Sequence, residues 1–275
     1  MTNGLFATSP HPERAPDHVG LDSYAPVNVT FENHFDAIYR DQGVTPEERA
    51  LIEDAVVHVE RPADGVGAND VRRLELGSSR EGAYFKPING VNATLAYLLG
   101  HSRESVVLAE IAAYRLAYAL AGPYVELVPP CVLRFVPEVD EDAPGSLMSE
   151  RFDDRAGNVF QDAPALALQA AFFDALIGNQ DRSGFNMLFD PSREDLALID
   201  HGFAFRREHD PVNASVFVDW RRRAGLPALA PEERDALERL LEDGDLLGMR
   251  RYLEVDRADA LHDRARAMYD SGSLV

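Results

Sequence analysis

Ile177-Gly178-Asn179-Gln180-Asp181-Arg182-Ser183-Gly184-Phe185-Asn186, followed by Leu198-Ile199-Asp200-His201-Gly202, is the stretch on which the reading of this chain turns. An acid and an amide, Asp181 and Asn186, stand five residues apart in a polar loop. A second acid, Asp200, stands fourteen residues further on, after an apolar run. Between them, Met187-Leu188-Phe189 and Leu196-Ala197-Leu198-Ile199 read as two short strands joined by an acidic turn. Paired as a hairpin, these strands bring Asn186 and Asp200 side by side at one end. Asp and Asn in loops are most often turn formers, so the pattern needs support from the rest of the chain.

Working outward, residues 163–177 read as a strongly apolar helix, and the chain from Val216 onward is helical and charged, with Pro231-Glu232-Glu233 opening another helix. Upstream, residues 101–120 form the clearest helix. Val106, Val107, Ile111, Tyr114, Leu116, Ala117 and Leu120 recur at helical spacing, and Gly122-Pro123 ends it. Residues 55–59, 71–76 and 83–86 read as three strands of an antiparallel meander joined by glycine-containing turns. Residues 125–136 have strand character interrupted by Pro129-Pro130. Residues 138–146 form an acidic loop expected to mark a division. Thr45-Pro46-Glu47-Glu48 is a helix start, with Thr45 as cap and Pro46 in the first turn. Residues 1–44 lack a sustained period and read as a loose or draped extension. The order predicts an α+β, two-lobed plan: an extension with a short helix over 1–54, a small strand-rich N-lobe over 55–147, and a larger helical C-lobe over 148–275.

Of 275 residues, 27 are basic, and 26 of these are Arg; the one lysine is Lys86. Elsewhere Arg can serve as a surface cation, so a retained lysine points to a place where a compact ammonium is needed and a broad guanidinium fork is not. Against 47 acidic residues, the formal net charge is −20, which disfavours nucleic acid and anionic lipid as partners. No apolar run is long enough for a transmembrane segment. The N-terminus has no basic region followed by an apolar stretch, and the lone Cys131 cannot form an internal disulfide. A cytoplasmic location is expected.

Two oxygen donors held together, Asn186 and Asp200, suit Mg²⁺ (or Mn²⁺), which takes few protein ligands and fills the rest with water and phosphate oxygens. Asp181 is then left to accept a proton from an attacking hydroxyl. Lys86, on a strand, suits nucleotide phosphates, and Glu110, twenty-four residues later on the long helix, suits Lys86. Glu104 is the rival partner, but a first-turn acid is already favoured by the helix dipole. The set Lys…Glu…Asp-x4-Asn…Asp, each on the element it needs, is that of phosphoryl transfer in the protein-kinase manner.

The run Gly178-Asn179-Gln180-Asp181-Arg182…Asn186…Ile199-Asp200-His201-Gly202 resembles the catalytic loop and metal motif of the phosphatidylinositol 3/4-kinase-like and HipA-like kinase superfamily. It is similar in particular to an uncharacterised actinobacterial group within it. Tyr84-Phe85-Lys86-Pro87 resembles the lysine strand of that superfamily, residues 110–116 its glutamate helix, and residues 128–134 the strand that follows. The resemblance covers about residues 55–270. It implies a two-lobed protein-kinase-like fold, with Lys86 on ATP phosphates, Glu110 holding it, Asp181 as base, and Asn186 and Asp200 on metal. It further implies a phosphate-covering loop over 65–69, with Gly65, Gly67 and Asn69, and an adenine-reading hinge around 148–152, with Met148 and Glu150. Departures are Ser183, where many relatives carry His, the order Asp-His-Gly at 200–202, with His201 expected to be structural, and the lack of an Ala-Pro-Glu-type motif.

The expected activity is therefore transfer of the γ-phosphoryl group of Mg-ATP to a hydroxyl, first of all Ser/Thr of a protein or peptide. A small-molecule or inositol-type alcohol, nucleotidyl (AMP) transfer, and a catalytically silent nucleotide-binding module stay open as alternatives. Cys131 reads as core. His58, His101 and His209 have no partner in sequence, and Trp220-Arg221-Arg222-Arg223 reads as a packed tryptophan on a solvated helix face.

Overall fold

A computed structural model describes residues 38, 40–43, 45–61, 69–78, 80–152, 157–207 and 215–274. Its larger sheet has five antiparallel strands, β1 (Val56–Glu60), β2 (Arg72–Leu76), β3 (Glu81–Pro87), β4 (Cys131–Phe135) and β5 (Pro144–Ser149), in the order β1-β2-β3-β5-β4. Side chains alternate across it. Leu74, Leu76, Ala83, Phe85, Val132 and Leu147 bury one face, with Leu51 of helix α1 (Pro46–Glu53) packed on them. Cys131 and Leu133 on the other face belong to the main core. That core is built around α3 (Arg103–Leu120) and α5 (Pro164–Ile177), whose Ile111, Leu116, Phe172 and Phe173 are fully buried. α3 is buried almost all round, as expected of a helix with few polar positions along its middle.

Local chemistry sets the element ends. Thr45 accepts a bond from the Glu48 N–H at 3.1 Å, as its position before Pro46 predicts. Ser102 and Ser105 cap α3 reciprocally. The last turn of α1 is closed from outside: the Arg134 guanidinium donates to the Leu51 and Asp54 carbonyls, both at 2.6 Å. In a second, two-stranded sheet, β6 (Met187–Asp190) and β7 (Asp195–Leu198) pair as the expected hairpin, with Met187 opposite Leu198. Further helices are α4 (Val159–Asp162), α6 (Val216–Arg223), α7 (Pro231–Glu242) and α8 (Val255–Ser271).

Three expectations are corrected. Residues 125–130 are not strand: after the 3₁₀ turn Gly122–Tyr124 the ladder starts only at Cys131, because Pro129 and Pro130 have no N–H to donate. The acidic loop expected over 138–146 is shorter, since β5 begins at Pro144: it joins β4 to β5, and β5 lies between β3 and β4 in the sheet, so 147/148 falls within a strand. Helix α2 (Ala93–Leu98) was not expected; Asn92, whose side chain accepts from the Leu95 N–H at 3.1 Å, was its signal. None of the described helices is long and apolar enough to cross a membrane.

Arginine is also not confined to the surface. Arg182, Arg221, Arg257 and Arg264 are 0–2% exposed. Arg257 donates to the carbonyls of Phe205 (2.8 Å) and Gly100 (2.5 Å), Arg264 to those of Leu176 (3.1 Å) and Arg206 (2.9 Å). Arg221 pairs with Glu233 through both guanidinium ends and also reaches the Leu226 and Ala228 carbonyls. A five-donor fork can satisfy several loop and helix-end carbonyls at once, which an ammonium at one point cannot.

Candidate functional site

Lys86 leaves β3 on the face opposite Phe85 and is buried. Its Nζ lies 2.5 Å from Glu110 Oε1 on α3 and 2.8 Å from Asp200 Oδ1. The second oxygen, Glu110 Oε2, accepts the His201 backbone N–H at 2.7 Å. One carboxylate thus ties the lysine strand to the turn after β7. Glu104 stays in the first turn of α3, away from this pair. Burial disfavours the Lys86 ammonium, but the charges of Asp200 and Glu110 outweigh it and hold its pKa well above the usual lysine range. Burial likewise works against the Glu110 carboxylate, and the Lys86 charge, with His201, holds it well below the usual range.

Asp200 has φ of +55°, a left-handed conformation uncommon outside glycine. This turn aims its carboxylate back at Lys86 while the chain continues against α3. Gly202 is required there: a Cβ would sit 2.7 Å from Val106 Cγ1. His201 is fully buried, edge-on to Phe173, with Nδ1 3.7 Å from Glu110 Oε2. Burial, reinforced by the Arg182 charge and opposed by Glu110, lowers its pKa, and its backbone N–H supplies the bond to Glu110.

Asp181 and Asn186 meet in the loop before β6. Asn186 Nδ2 donates to the Asp181 carbonyl at 2.5 Å and to its Oδ2 at 3.3 Å. The Ile199 N–H donates to the Asn186 carbonyl at 3.1 Å, so Asn186 and Asp200 flank the open end of the hairpin as the strand pairing requires. Partial desolvation of the Asp181 carboxyl and the nearby Asp200 charge raise its pKa; the Asn186 bond opposes them. Ser183 braces the loop: its Oγ accepts the Phe185 N–H at 3.2 Å, and its backbone bonds to Asp181 and Asn186.

A buried brace behind these groups was not read from the sequence. Arg182 Nε lies 3.2 Å from both oxygens of Asp174, and its Nη1 donates to the Ile199 carbonyl at 2.6 Å and to that of Asn186. Ser215 Oγ and Asn179 Nδ2 complete the shell around Asp174, at 2.7 and 3.4 Å. The signal was present: Asp174 is the one charged residue within α5, and Arg182 follows Asp181.

The remaining candidates make other contacts or fall outside the described residues. Gly65 and Gly67 fall outside the described residues. Asn69 Oδ1 accepts the Asn92 N–H at 2.9 Å and so holds the start of α2. Met148 is paired between Tyr84 and Cys131 in the sheet. Glu150 is clamped by Arg73 (2.7–3.2 Å) and Tyr84 (3.0 Å), which lower its pKa. Its N–H and that of Ser149 already bond to Gly82 and Pro130 carbonyls, so these two amides are not available to a ligand. His101 is buried against Phe203, His58 is exposed, His209 lies outside the described residues, and Cys131 is core. Trp220 packs on Phe160, and Arg221, expected to be solvated, is buried.

The donor set fits a hard divalent cation. With Nδ2 of Asn186 committed to Asp181 and Oδ1 of Asp200 to Lys86, Asn186 Oδ1 and Asp200 Oδ2 remain as oxygen donors. No group of three His, Cys, Asp or Glu side chains gathers as a metal site among the described residues. A two-donor site suits an ion that arrives with phosphate and water oxygens. No protein-family model matches the chain, and no curated protein matches its sequence.

Proposed function

We propose that this chain is an ATP-dependent phosphotransferase with a two-lobed protein-kinase-like arrangement, moving the γ-phosphoryl group of ATP to a hydroxyl, foremost a Ser/Thr of a protein or peptide. The observation that carries the reading is Lys86 Nζ held between Glu110 and Asp200, with the Asp181–Asn186 pair at the open end of the hairpin that carries Asp200.

In this reading Lys86 binds phosphate oxygens and Glu110 keeps its ammonium in place. Asn186 and Asp200 hold Mg²⁺ or Mn²⁺, which supplies positive charge to the phosphates. Asp181 orients the acceptor hydroxyl and takes its proton as the oxygen attacks the γ-phosphorus. The bond from that phosphorus to the β–γ bridging oxygen breaks, its electron pair leaves with ADP, and the proton ends on Asp181. Positioning and electrostatics supply most of the acceleration. Arg182 sets the separation of Asn186 and Asp200 through the two carbonyls it joins.

The test is incubation with Mg-ATP or Mn-ATP followed by intact-mass measurement of the protein and of an added Ser/Thr peptide pool. A gain of one phosphate is expected, and Asp200→Ala should abolish it. A gain of AMP would redirect the reading to nucleotidyl transfer. No gain, with no thermal shift on adding ATP and metal, would overturn nucleotide binding altogether.

A further inference from the structure

We propose that Phe185 and the groove beside it select the acceptor, which is a peptide segment carrying one bulky apolar side chain near its hydroxyl and basic residues around it. The inference rests on the phosphotransferase reading above.

Phe185 is 75% exposed, yet it stands on an ordered turn between Asp181 and Asn186, held by the Ser183 bonds already described. An exposed apolar residue alone signifies little, and Tyr97, Leu98 and Val255 are as exposed; Phe185 differs in standing one residue from a metal-ligand candidate and one from Gly184, which lines a cavity, so it can act as an anchor beside it. The same turn forms one wall of a cavity of about 220 Å³. Gly184 and Met187 line it on this side, and Val159, Phe160 and Phe189 on the other. Four of its lining side chains (Val159, Phe160, Met187 and Phe189) are apolar, with Gly157, Asn158 and exposed backbone adding a polar rim, and its volume is below that of a site for a whole organic ligand, so it suits a single apolar side chain flanked by backbone hydrogen bonds. Gly184 leaves the mouth open: a Cβ there would meet nothing nearer than Met187 Cε at 4.0 Å.

Charge selects the rest of the partner. The chain carries −20, and Asp181, Asp162 and Asp190 lie on the segments around the groove. Arg182 is buried and paired to Asp174, and Arg193 is drawn to Asp190 at 3.3 Å. A polyhydroxylated alcohol has no apolar arm for the groove, and an anionic lipid surface meets the wrong charge.

The test uses the full chain with Mg-ATP and a Ser/Thr peptide library in which each flanking position is fixed in turn as Phe, Leu, Arg or Ala. Phe or Leu at one position near the acceptor should raise kcat/KM about tenfold over Ala, mostly through KM, with Arg favoured elsewhere. Phe185→Ala should bring the Phe-to-Ala ratio close to one, and Phe185→Leu should restore most of it. Gly184→Leu, which fills the groove from an open position, should also lower the ratio. ATP turnover with an unchanged ratio in all three variants would overturn this inference alone; transfer only to inositol or to phosphatidylinositol vesicles would overturn it together with the Ser/Thr acceptor, leaving phosphoryl transfer itself standing. Absence of both Mg-ATP binding and turnover would overturn the inference together with the reading beneath it.

Discussion

A guanidinium in place of the Lys86 ammonium would have to fit where Glu110 Oε1 and Asp200 Oδ1 lie 2.5 and 2.8 Å from a single nitrogen. Lys86→Arg keeps the charge but widens the head group, so kcat should fall about 100-fold or more while the far-ultraviolet circular dichroism is unchanged. Lys86→Met is different in kind. It leaves the Glu110 carboxylate buried without its cation and should cost about 3–5 kcal/mol in denaturant unfolding. Asp181 makes a pH prediction. Its pKa is raised, so the rate should climb with pH through an inflection above the ordinary aspartate range and vanish in Asp181→Asn; a flat profile at low pH would remove Asp181 as base. His101 makes another. Burial holds its pKa down to about 3, against 6.5 unperturbed. The unfolded chain therefore binds the extra proton first, so this contribution is intact above pH 6.5 and drains away as pH falls toward 3. His101→Leu should flatten the fall in melting temperature across that window. At this scale the sequence was informative: Lys86, Glu110, Asp181, Asn186 and Asp200 were chosen by type and spacing. Glu150 and Asn69 rest on the resemblance alone; in the fold Glu150 bonds Arg73 and Tyr84, and Asn69 bonds the Asn92 N–H.

The β6–β7 hairpin and its two neighbours bring the candidate residues together. Strand pairing puts Asn186 and Asp200 at one end, α3 supplies Glu110, and the buried Asp174–Arg182 pair joins α5 to both edges of the hairpin. Arg182→Lys loses the simultaneous reach to Asp174 and to the Asn186 and Ile199 carbonyls. Mn²⁺ affinity measured in the presence of ADP should fall at least tenfold in this variant, with nucleotide affinity without metal unchanged. A metal affinity equal to wild type would mean that Arg182 braces the core and not the metal pair. Gly202→Ala pushes a Cβ to 2.7 Å from Val106 Cγ1, an overpacking expected to cost about 1–3 kcal/mol. The hairpin was legible because its alternation and its acidic turn are local signals. The brace was not, since Arg182 and Asp174 meet only after α5 and the loop have turned on each other.

Across the whole molecule, a charge of −20 repels itself. Melting temperature should therefore rise as sodium chloride is raised from low ionic strength toward 0.15 M, where screening acts over about 8 Å; a fall would show that exposed ion pairs outweigh repulsion. The same charge shows why the buried arginines matter. They are placed where several carbonyls converge between elements, so part of the cationic complement acts as internal scaffolding and does not offset surface acidity. By itself the sequence determined the α+β composition, the long apolar helices, the hairpin and the residues with chemistry to offer, because helix and strand periodicity, caps and glycine turns act over a few residues. Only the tertiary structure decided that β5 belongs between β3 and β4, that Glu110 also ties Lys86 to the His201 backbone, and that Arg182 stands behind the Asn186–Asp200 pair. Those outcomes depend on which faces bury together across a hundred residues, and no local pattern records the register in which distant strands and helices meet.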